Sequence, residues 1–438
     1  MRPDQLDENR SSWLAELPPY APLPPAAGVI SADVVVVGGG LTGVSTAWHL
    51  SERFPGRRIA LLEARALANG ASGRNGGLVL NGIAGIEPED PTTARRVYAA
   101  TRLGIDIVEN LAGRSTLPAG FSRCGVAEVY TSARSAESGQ ARAERYRAWG
   151  IPMQWLDGRA TGVAGAHGAA LDPTAATVNA AAVVRGLRPA LLDRGVAIYE
   201  RTPVLRIDEG NALVLHTPAA TVRAAALVLA TNAYTPLLGY FRSRILPLHS
   251  HVIATAPLSA AEWSAFGLAA RAGFTDDRDR VAYGCRTPGH RLLFGGGGND
   301  AYTYCPGGAP VLPASRRRSE RAAAAIVRHL RGYFPGFGDV PIAHQWVGTL
   351  DVSFDRVCSI GTTGAARNVY YALGYSGHGL ALAALAGRVL TELYSDNREP
   401  WSALPFYERS LPYIPREPLR WLGYHLYTRF TGRSPRRG

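Results

Sequence analysis

The chain is predicted to be an α/β protein, α+β overall, in which a parallel sheet of the nucleotide-binding kind is interleaved with an antiparallel sheet. Three observations predict this. "DVVVVGGGLTGVSTAWHLSERFPGRRIALLEA" (33–64) reads as strand, glycine turn, amphipathic helix and second strand. Short apolar strand signals follow Gly195, in "VAIYE", "PVLRID", "ALVLHT" and "ALVLAT". From about 245 to 305, "LPLHSHVIAT", "RVAYGCRT" and "HRLLFGGG" alternate polar and apolar residues, as half-buried antiparallel strands do.

Taken in order, residues 1–30 read as an extended, proline-rich arm. Val34–Val37 form a continuous apolar run, expected of a parallel strand buried on both faces. A mixed region to about 175 carries the helical "TARRVYAATRLGIDIVENLAG" and the strand "GVAEVY". "NAAAVVRGLRPALLDRG" predicts a helix that stops at Gly195. Residues 318–332 are expected to be helical. The strand "NVYYALG" then leads into a second glycine turn and helix, "GYSGHGLALAALAG". The expected organisation is an arm (1–30), a discontinuous nucleotide domain (31–85, 176–244 and 340–400), a substrate domain (86–175 and 245–339) and a basic aromatic tail (401–438).

Composition excludes several function classes. The 438 residues carry a net charge of +12, and all 47 basic side chains are arginines, with no lysine. They are spread along the chain apart from Arg316–Arg318 and the terminal "RSPRRG", so no nucleic-acid partner is expected. Four cysteines (Cys124, Cys285, Cys305, Cys358) form no CxxC pair, and neither a disulfide framework nor a metal site is expected. No apolar stretch reaches the ~20 residues of a membrane span. The N-terminal residues hold acids and prolines where a signal peptide has a basic start and an apolar run, so a cytoplasmic protein is expected. Nothing in the sequence bears on oligomeric state.

The first glycine turn carries the chemistry. Gly38-x-Gly40-x-x-Gly43 follows a strand and opens a helix, and Glu63 ends the next strand. Gly38 permits the tight turn, Gly40 lets the backbone approach a pyrophosphate, and Gly43 allows helix and strand to pack closely. The helix N-terminus offers N–H groups and partial positive charge. Glu63 is placed to accept hydrogen bonds from a ribose. This is a Rossmann-like dinucleotide site. A second small-residue loop, "NGASGRNGGLVL" (69–80), favours FAD over NAD, because the longer cofactor runs on beyond its adenosine.

In "VVVVGGGLTGVSTAWHL", "LLEA", "GASGRNGG", "VLATNAYTP" and "GYSGHGLALAALAG" the chain resembles the D-amino-acid-oxidase-like (DAO) family of FAD oxidoreductases, over nearly all of residues 30–400. The resemblance implies a glycine/sarcosine oxidase-like architecture and a set of FAD-binding positions. Gly38, Gly40, Leu41, Thr42 and Gly43 would meet the pyrophosphate, with Glu63 and Ala64 at the ribose. Gly70, Ser72, Arg74, Asn75, Gly76, Gly77 and Leu78 form the second loop. Val204 would contact adenine, while Ala230 and Thr231 line the route past the ribose. Gly348, Gly374, Gly377, His378, Gly379 and Leu380 would border the flavin ring. The helix N-terminus at Gly377–Gly379 would favour the negative charge that builds up as the ring is reduced.

The resemblance also bears on the substrate. Family members acting on small α-amino acids tend to place an arginine where this chain has Leu350, to grip the substrate carboxylate. Trp346, Gly348, Asp351 and Arg356 instead match the γ-glutamylputrescine oxidase branch, which oxidises the terminal amine of a longer chain. The histidine or cysteine that attaches flavin in covalent members is missing at the matching places, so non-covalent FAD is expected. Sarcosine oxidases place a lysine near the flavin where Leu293 stands here, which leaves O2 or another electron acceptor open. Hydride transfer from a neutral amine needs orientation more than a base, and the product imine hydrolyses in water. His249, His251, Tyr283, Trp346 and Tyr375 are the substrate-face candidates, each with core packing as the competing reading. Three rival functions remain at this level. One is a dehydrogenase passing electrons to quinone, with "PLRWLGYHLYTRFTGRSPRRG" touching a membrane surface rather than packing on the protein's own body. The others are a tailoring enzyme on an aminated natural product and a non-catalytic FAD-binding scaffold.

Overall fold

The computed structural model describes residues 11–270, 272–305, 316–338 and 340–431. The chain builds two large sheets and passes back and forth between them. In the first, β1 (Gly28–Val37) is followed by α1 (Leu41–Arg53) and β2 (Ile59–Leu62). The strand Ala197–Tyr199 pairs parallel with β2. On the other side of β1 lies β3 (Ala220–Leu229), also parallel. Val34–Val37 sit between these neighbours at 5% exposure or less, which is why this run is apolar at every position rather than at alternate ones.

The second sheet begins with Val126–Tyr130, Gln154–Asp157 and Gly168–Asp172, and is extended by β4 (Ile245–Thr255) and the short strands between 273 and 304. Helix α2 (Arg316–Tyr333) packs against β4. β5 (Ile342–Ser353) then pairs antiparallel with β4 along its whole length. The sheet is antiparallel as expected except for one parallel pair, Gly273–Asp276 with Val126–Tyr130. Residues 340–353 were expected with the nucleotide-binding pieces, but β5 belongs to the second sheet. Its long alternating pattern was masked by glycine and acidic residues that serve the site below.

β6 (Val369–Leu373) returns to the first sheet beside β3, and α3 (Gly379–Tyr394) follows. Nearly every residue of α3 is buried, so it reads as apolar on all sides. It lies against α1 at small residues. A Cβ on Gly387 would stand 2.3 Å from Ser45 Oγ, and that hydroxyl donates to Ala384 O at 2.7 Å. The predicted helix 179–195 is two pieces, Ala180–Gly186 and Arg188–Asp193, because Pro189 lacks the N–H that would join them. The chain ends in α4 (Leu419–Thr431).

Two terminal segments are more anchored than an arm and a tail. Trp13 is 1% exposed, and its indole N–H donates to Asn75 O at 2.8 Å. α4 docks on the second sheet, where Tyr424 Oη donates to Tyr302 O (3.2 Å) and Asn299 Nδ2 to Thr428 O (3.0 Å). The "RSPRRG" end lies outside the described residues.

Candidate active site

One cavity of about 1330 Å3 opens between the sheets, larger than the ~300–1,000 Å3 of common ligand pockets. It starts outside the carboxyl end of β1, where the strand order reverses from β2 to β3, the position at which open α/β sheets bind ligands.

Two helices end there without a side-chain cap. Gly40 caps α1 in an extended conformation and His378 caps α3, and neither side chain bonds its helix. Their first N–H groups are therefore left to the backbone, to neighbouring loops or to a ligand. At α1 the Leu41 N–H donates to Ser72 Oγ at 2.7 Å, which joins the 69–80 loop to the first glycine turn. The two turns are also joined directly, through Thr42 Oγ1 and Tyr375 Oη at 2.9 Å. The glycines fit close approaches: a Cβ on Gly38 would come within 2.5 Å of Ala230 O, and one on Gly43 within 1.9 Å of Gly38 O.

Glu63 accepts from Gly39 N–H (2.7 Å) and Arg65 N–H (2.9 Å). Burial, against those hydrogen bonds, pushes its carboxyl up to about 6. Asp351 fixes the second turn. Its carboxylate accepts from Gly374 N–H at 2.5 Å, and its backbone carbonyl accepts from Ser376 N–H at 3.2 Å. Burial raises the carboxyl pKa to about 7 despite the Gly374 hydrogen bond.

Most of the expected cofactor positions line this cavity: Gly38, Gly40, Leu41, Thr42, Glu63, Ala64, Gly70, Ser72, Arg74, Asn75, Gly76, Leu78, Val204, Ala230, Thr231, Gly348, Gly377, His378, Gly379 and Leu380. Gly43, Gly77 and Gly374 lie behind its wall. Gly43 packs helix on strand, Gly77 faces Trp13, and Gly374 turns the chain onto Asp351.

The cradle fits a dinucleotide with a flavin beyond it, and the comparisons with known proteins decide the family. The DAO profile, described as FAD dependent oxidoreductase, matches residues 33–393. The chain belongs to the DAO family of FAD-dependent oxidoreductases. Gamma-glutamylputrescine oxidoreductase of Escherichia coli is 28% identical over 94% of each chain. A probable oxidoreductase OrdL of Rhizobium meliloti is 30% identical over 87% of each. Among solved structures, glycine oxidase from Geobacillus kaustophilus superposes with a TM-score of 0.71 at 21% identity, covering 84% of this chain and 95% of that one. The glycine oxidase-like architecture is therefore the fold of this family member.

The substrate-face candidates divide. Tyr283 and Tyr375 line the cavity. Tyr283 lies between Gly76 and Gly295, where Cβ atoms would meet its ring at 2.7 and 2.5 Å, and its hydroxyl shares a 2.9 Å hydrogen bond with Ser250. Burial pushes its pKa up to about 12, which keeps it a neutral O–H. Trp346 is not on the wall. It is 1% exposed and its indole donates to Arg74 O at 3.0 Å, holding the 69–80 loop from behind.

His249 and His251 are also off the wall. β4 alternates, so Leu246, Leu248 and Ser250 face the cavity while the histidines lie on the face that carries α2. The sequence located the strand but could not say which of its two faces is wet. Both histidines are buried, and burial lowers each pKa to about 4, aided by Arg318 on both and by His251 on His249. Unfolded imidazole takes up a proton below about 6.5, so the stability tied to these groups is full above that pH and is lost as pH falls toward 4. Among the described residues, both ring nitrogens of His249 lack a hydrogen-bond partner. His249→Leu is therefore expected to stabilise the protein by roughly 1–2 kcal/mol at pH 7.5 and by more at pH 5, measured by urea unfolding.

Sequence reasoning passed over the far wall. Leu248, Ser250, Arg280 and Tyr302 also line the cavity, together with Tyr424 and Tyr427 of α4. None belongs to a motif; only the fold brings them together.

Proposed function

We propose that this enzyme oxidises the carbon–nitrogen bond of an amine carried on a chain, γ-glutamylputrescine-like, and not small α-amino acids. The observation that carries this is Leu350. It lines the cavity on β5, opposite Leu248 on β4, at the position where the family resemblance implies a carboxylate-binding arginine. An apolar pair there suits a methylene chain. The Escherichia coli relative's name and its coverage of 94% of each chain support the same branch.

Bound FAD would accept hydride from the carbon next to nitrogen, and the resulting imine would hydrolyse. The chain's own groups hold the parts. Gly40, Leu41 and Thr42 present the α1 N-terminus to the pyrophosphate, and Glu63 is placed for a ribose. Asp351 shapes the turn that aims the α3 N-terminus at the ring. Tyr283 and Ser250 offer neutral hydroxyls on the substrate side. Binding is proposed to be non-covalent, since neither a histidine nor a cysteine stands where the family resemblance implies the flavin attachment. Four unpaired cysteines suit a cytoplasmic enzyme.

The test is anaerobic mixing of the yellow protein with γ-glutamylputrescine, putrescine, sarcosine, glycine and D-alanine, followed by air. Bleaching by a chain amine but not by glycine is expected, and the speed of colour return separates oxidase from dehydrogenase. Bleaching by glycine alone would overturn the reading. Leu350→Arg is expected to strengthen binding of glycine or sarcosine by roughly tenfold or more, since a charge-assisted pair contributes about 1.5–3 kcal/mol. Titration of the flavin spectrum measures it.

One observation favours a dehydrogenase at a membrane surface as a second reading. α4 turns Arg420, Tyr424 and Thr428 inward and leaves Leu419, Trp421, Leu422, Leu426 and Phe430 between 47% and 75% exposed. No helix among the described residues is long and apolar enough to cross a membrane. On this reading the protein sediments with anionic liposomes, and Leu422→Asp with Leu426→Asp releases it. A protein left in the supernatant removes the reading.

A further inference from the structure

This inference rests on the reading above that the cavity takes a chain amine, and it names what the far end of that amine carries. Arg280 lies on the cavity wall between the strands Gly273–Asp276 and Ala282–Arg286. It is 8% exposed, and its planar guanidinium presents five N–H donors in a fixed fork that matches a carboxylate. Its one hydrogen bond among the described residues is a long contact from Nε to Asn299 Oδ1, at 3.4 Å. Nη2 is buried and has no hydrogen-bond partner among the described residues. Leaving a charged donor unpaired is costly, and native proteins rarely do so without use.

The surroundings preserve that charge. The rings of Tyr302, Tyr424 and Tyr427 lie 5.9, 5.3 and 5.9 Å from its central carbon, favourable contacts for a cation that leave its N–H edges unsatisfied. The neighbouring carboxylate, Asp279, gives Oδ1 to others, pairing with Arg356 and accepting from Tyr427 Oη at 2.8 Å; its Oδ2 makes no hydrogen bond among the described residues, to Arg280 or to any other group. Burial works against the Asp279 carboxylate, yet the Arg356 charge, hydrogen bonds from Arg356 and Tyr427, and the Arg280 charge hold its pKa below the ordinary range.

The apolar Leu350 and Leu248 line the same cavity. A cation among the rings of Tyr302, Tyr424 and Tyr427, with apolar walls in the same cavity, describes an anion receptor beside a lining that suits a methylene chain. We propose that Arg280 binds a carboxylate borne by the substrate away from the reacting nitrogen, so that the amines preferred are those carrying an anionic head group on a flexible chain. The head group would supply the acceptors that Nη2 lacks. The carboxylate that small-amino-acid oxidases bind near the flavin would thus be held here at the opposite end of the substrate.

The experiment uses the FAD-loaded full chain and two ligands that cannot be oxidised at a terminal amine. L-Glutamate γ-(n-butyl)amide carries the carboxylate and the chain; N-butylacetamide has the chain alone. Calorimetry on wild type is expected to show the first binding roughly 10- to 100-fold more tightly, the range of one charge-assisted contact. Arg280→Gln should erase that difference while leaving N-butylacetamide binding unchanged, and Arg280→Lys should keep part of it. Equal affinities in wild type, or a preference that survives in Arg280→Gln, overturn the proposal. The wild-type comparison decides even if a variant fails to fold. Binding is read without turnover, so a protein whose flavin no amine bleaches would overturn the amine reading while this preference was still measured.

Discussion

Gly40→Val is expected to give a folded protein that has lost its yellow colour. The residue caps α1 at φ −87°, a backbone that any amino acid adopts, so the effect does not come from strain. It comes from space. A Cβ at Gly40 would stand 3.0 Å from Ser72 Oγ, the hydroxyl that already meets the Leu41 N–H. Valine's two methyls reach further, into the gap between the α1 N-terminus and the 69–80 loop. That is the gap through which a pyrophosphate must approach these amides. Losing two charge-assisted hydrogen bonds would weaken FAD by about 3–6 kcal/mol, enough to empty the site at ordinary concentrations. The ratio of flavin to protein absorbance after purification measures it, with circular dichroism to confirm the fold. Gly38→Ala is the contrasting control. That residue sits at φ +112° with its Cβ 2.5 Å from a carbonyl oxygen, so it is expected to misfold rather than merely empty. Full flavin in Gly40→Val would mean that the pyrophosphate lies elsewhere.

The contrast between these glycines shows what was legible beforehand. The first turn is local: strand, glycines, helix and acid all lie within residues 33–64, and each has a reason that can be stated from spacing alone. The second turn was recognised by its glycines and the family resemblance, but not its fastening. Asp351 was read as part of a branch signature, whereas its carboxylate holds the amide that begins the turn at Gly374. The bond between Thr42 and Tyr375 spans 333 positions and leaves no trace in either segment. Errors at the substrate face have one cause. A strand's period of two gives two equivalent faces, and the choice between His249 with His251 and Leu248 with Ser250 depends on where α2 packs. Trp346 was placed on the right strand, yet it faces Arg74 behind the loop. Arg280 belonged to no pattern; what marks it is that its Nη2 has no hydrogen-bond partner among the described residues, which only the folded chain can display.

Asp351→Ala is expected to be the most damaging single substitution at the site after the glycines. The turn it holds is unfavourable by itself, with Gly374 at φ +81°, Ser376 at φ +50° and Gly377 at φ +94°. Only the glycines adopt such angles freely, so Ser376 needs its surroundings to keep it there. Without the carboxylate the Gly374 amide becomes a buried donor with no acceptor, while the Ser376 amide keeps its bond to the Asp351 carbonyl. A loss of about 1–3 kcal/mol in urea unfolding follows, together with weaker FAD binding, because the turn leads directly into the α3 N-terminus. Asp351→Asn keeps one acceptor oxygen and should recover about half. pH then tells which force governs the carboxyl. Burial raises its folded pKa to about 7, above the ~3.9 of an unfolded aspartate, so the folded state holds the proton longer. Its contribution is full below about 3.9 and is lost as pH rises through 7. The stability of wild type relative to Asp351→Asn should therefore fall between pH 5 and pH 8. A difference that grows with pH instead would show that the surrounding amides outweigh burial, and that the turn is held by a full negative charge.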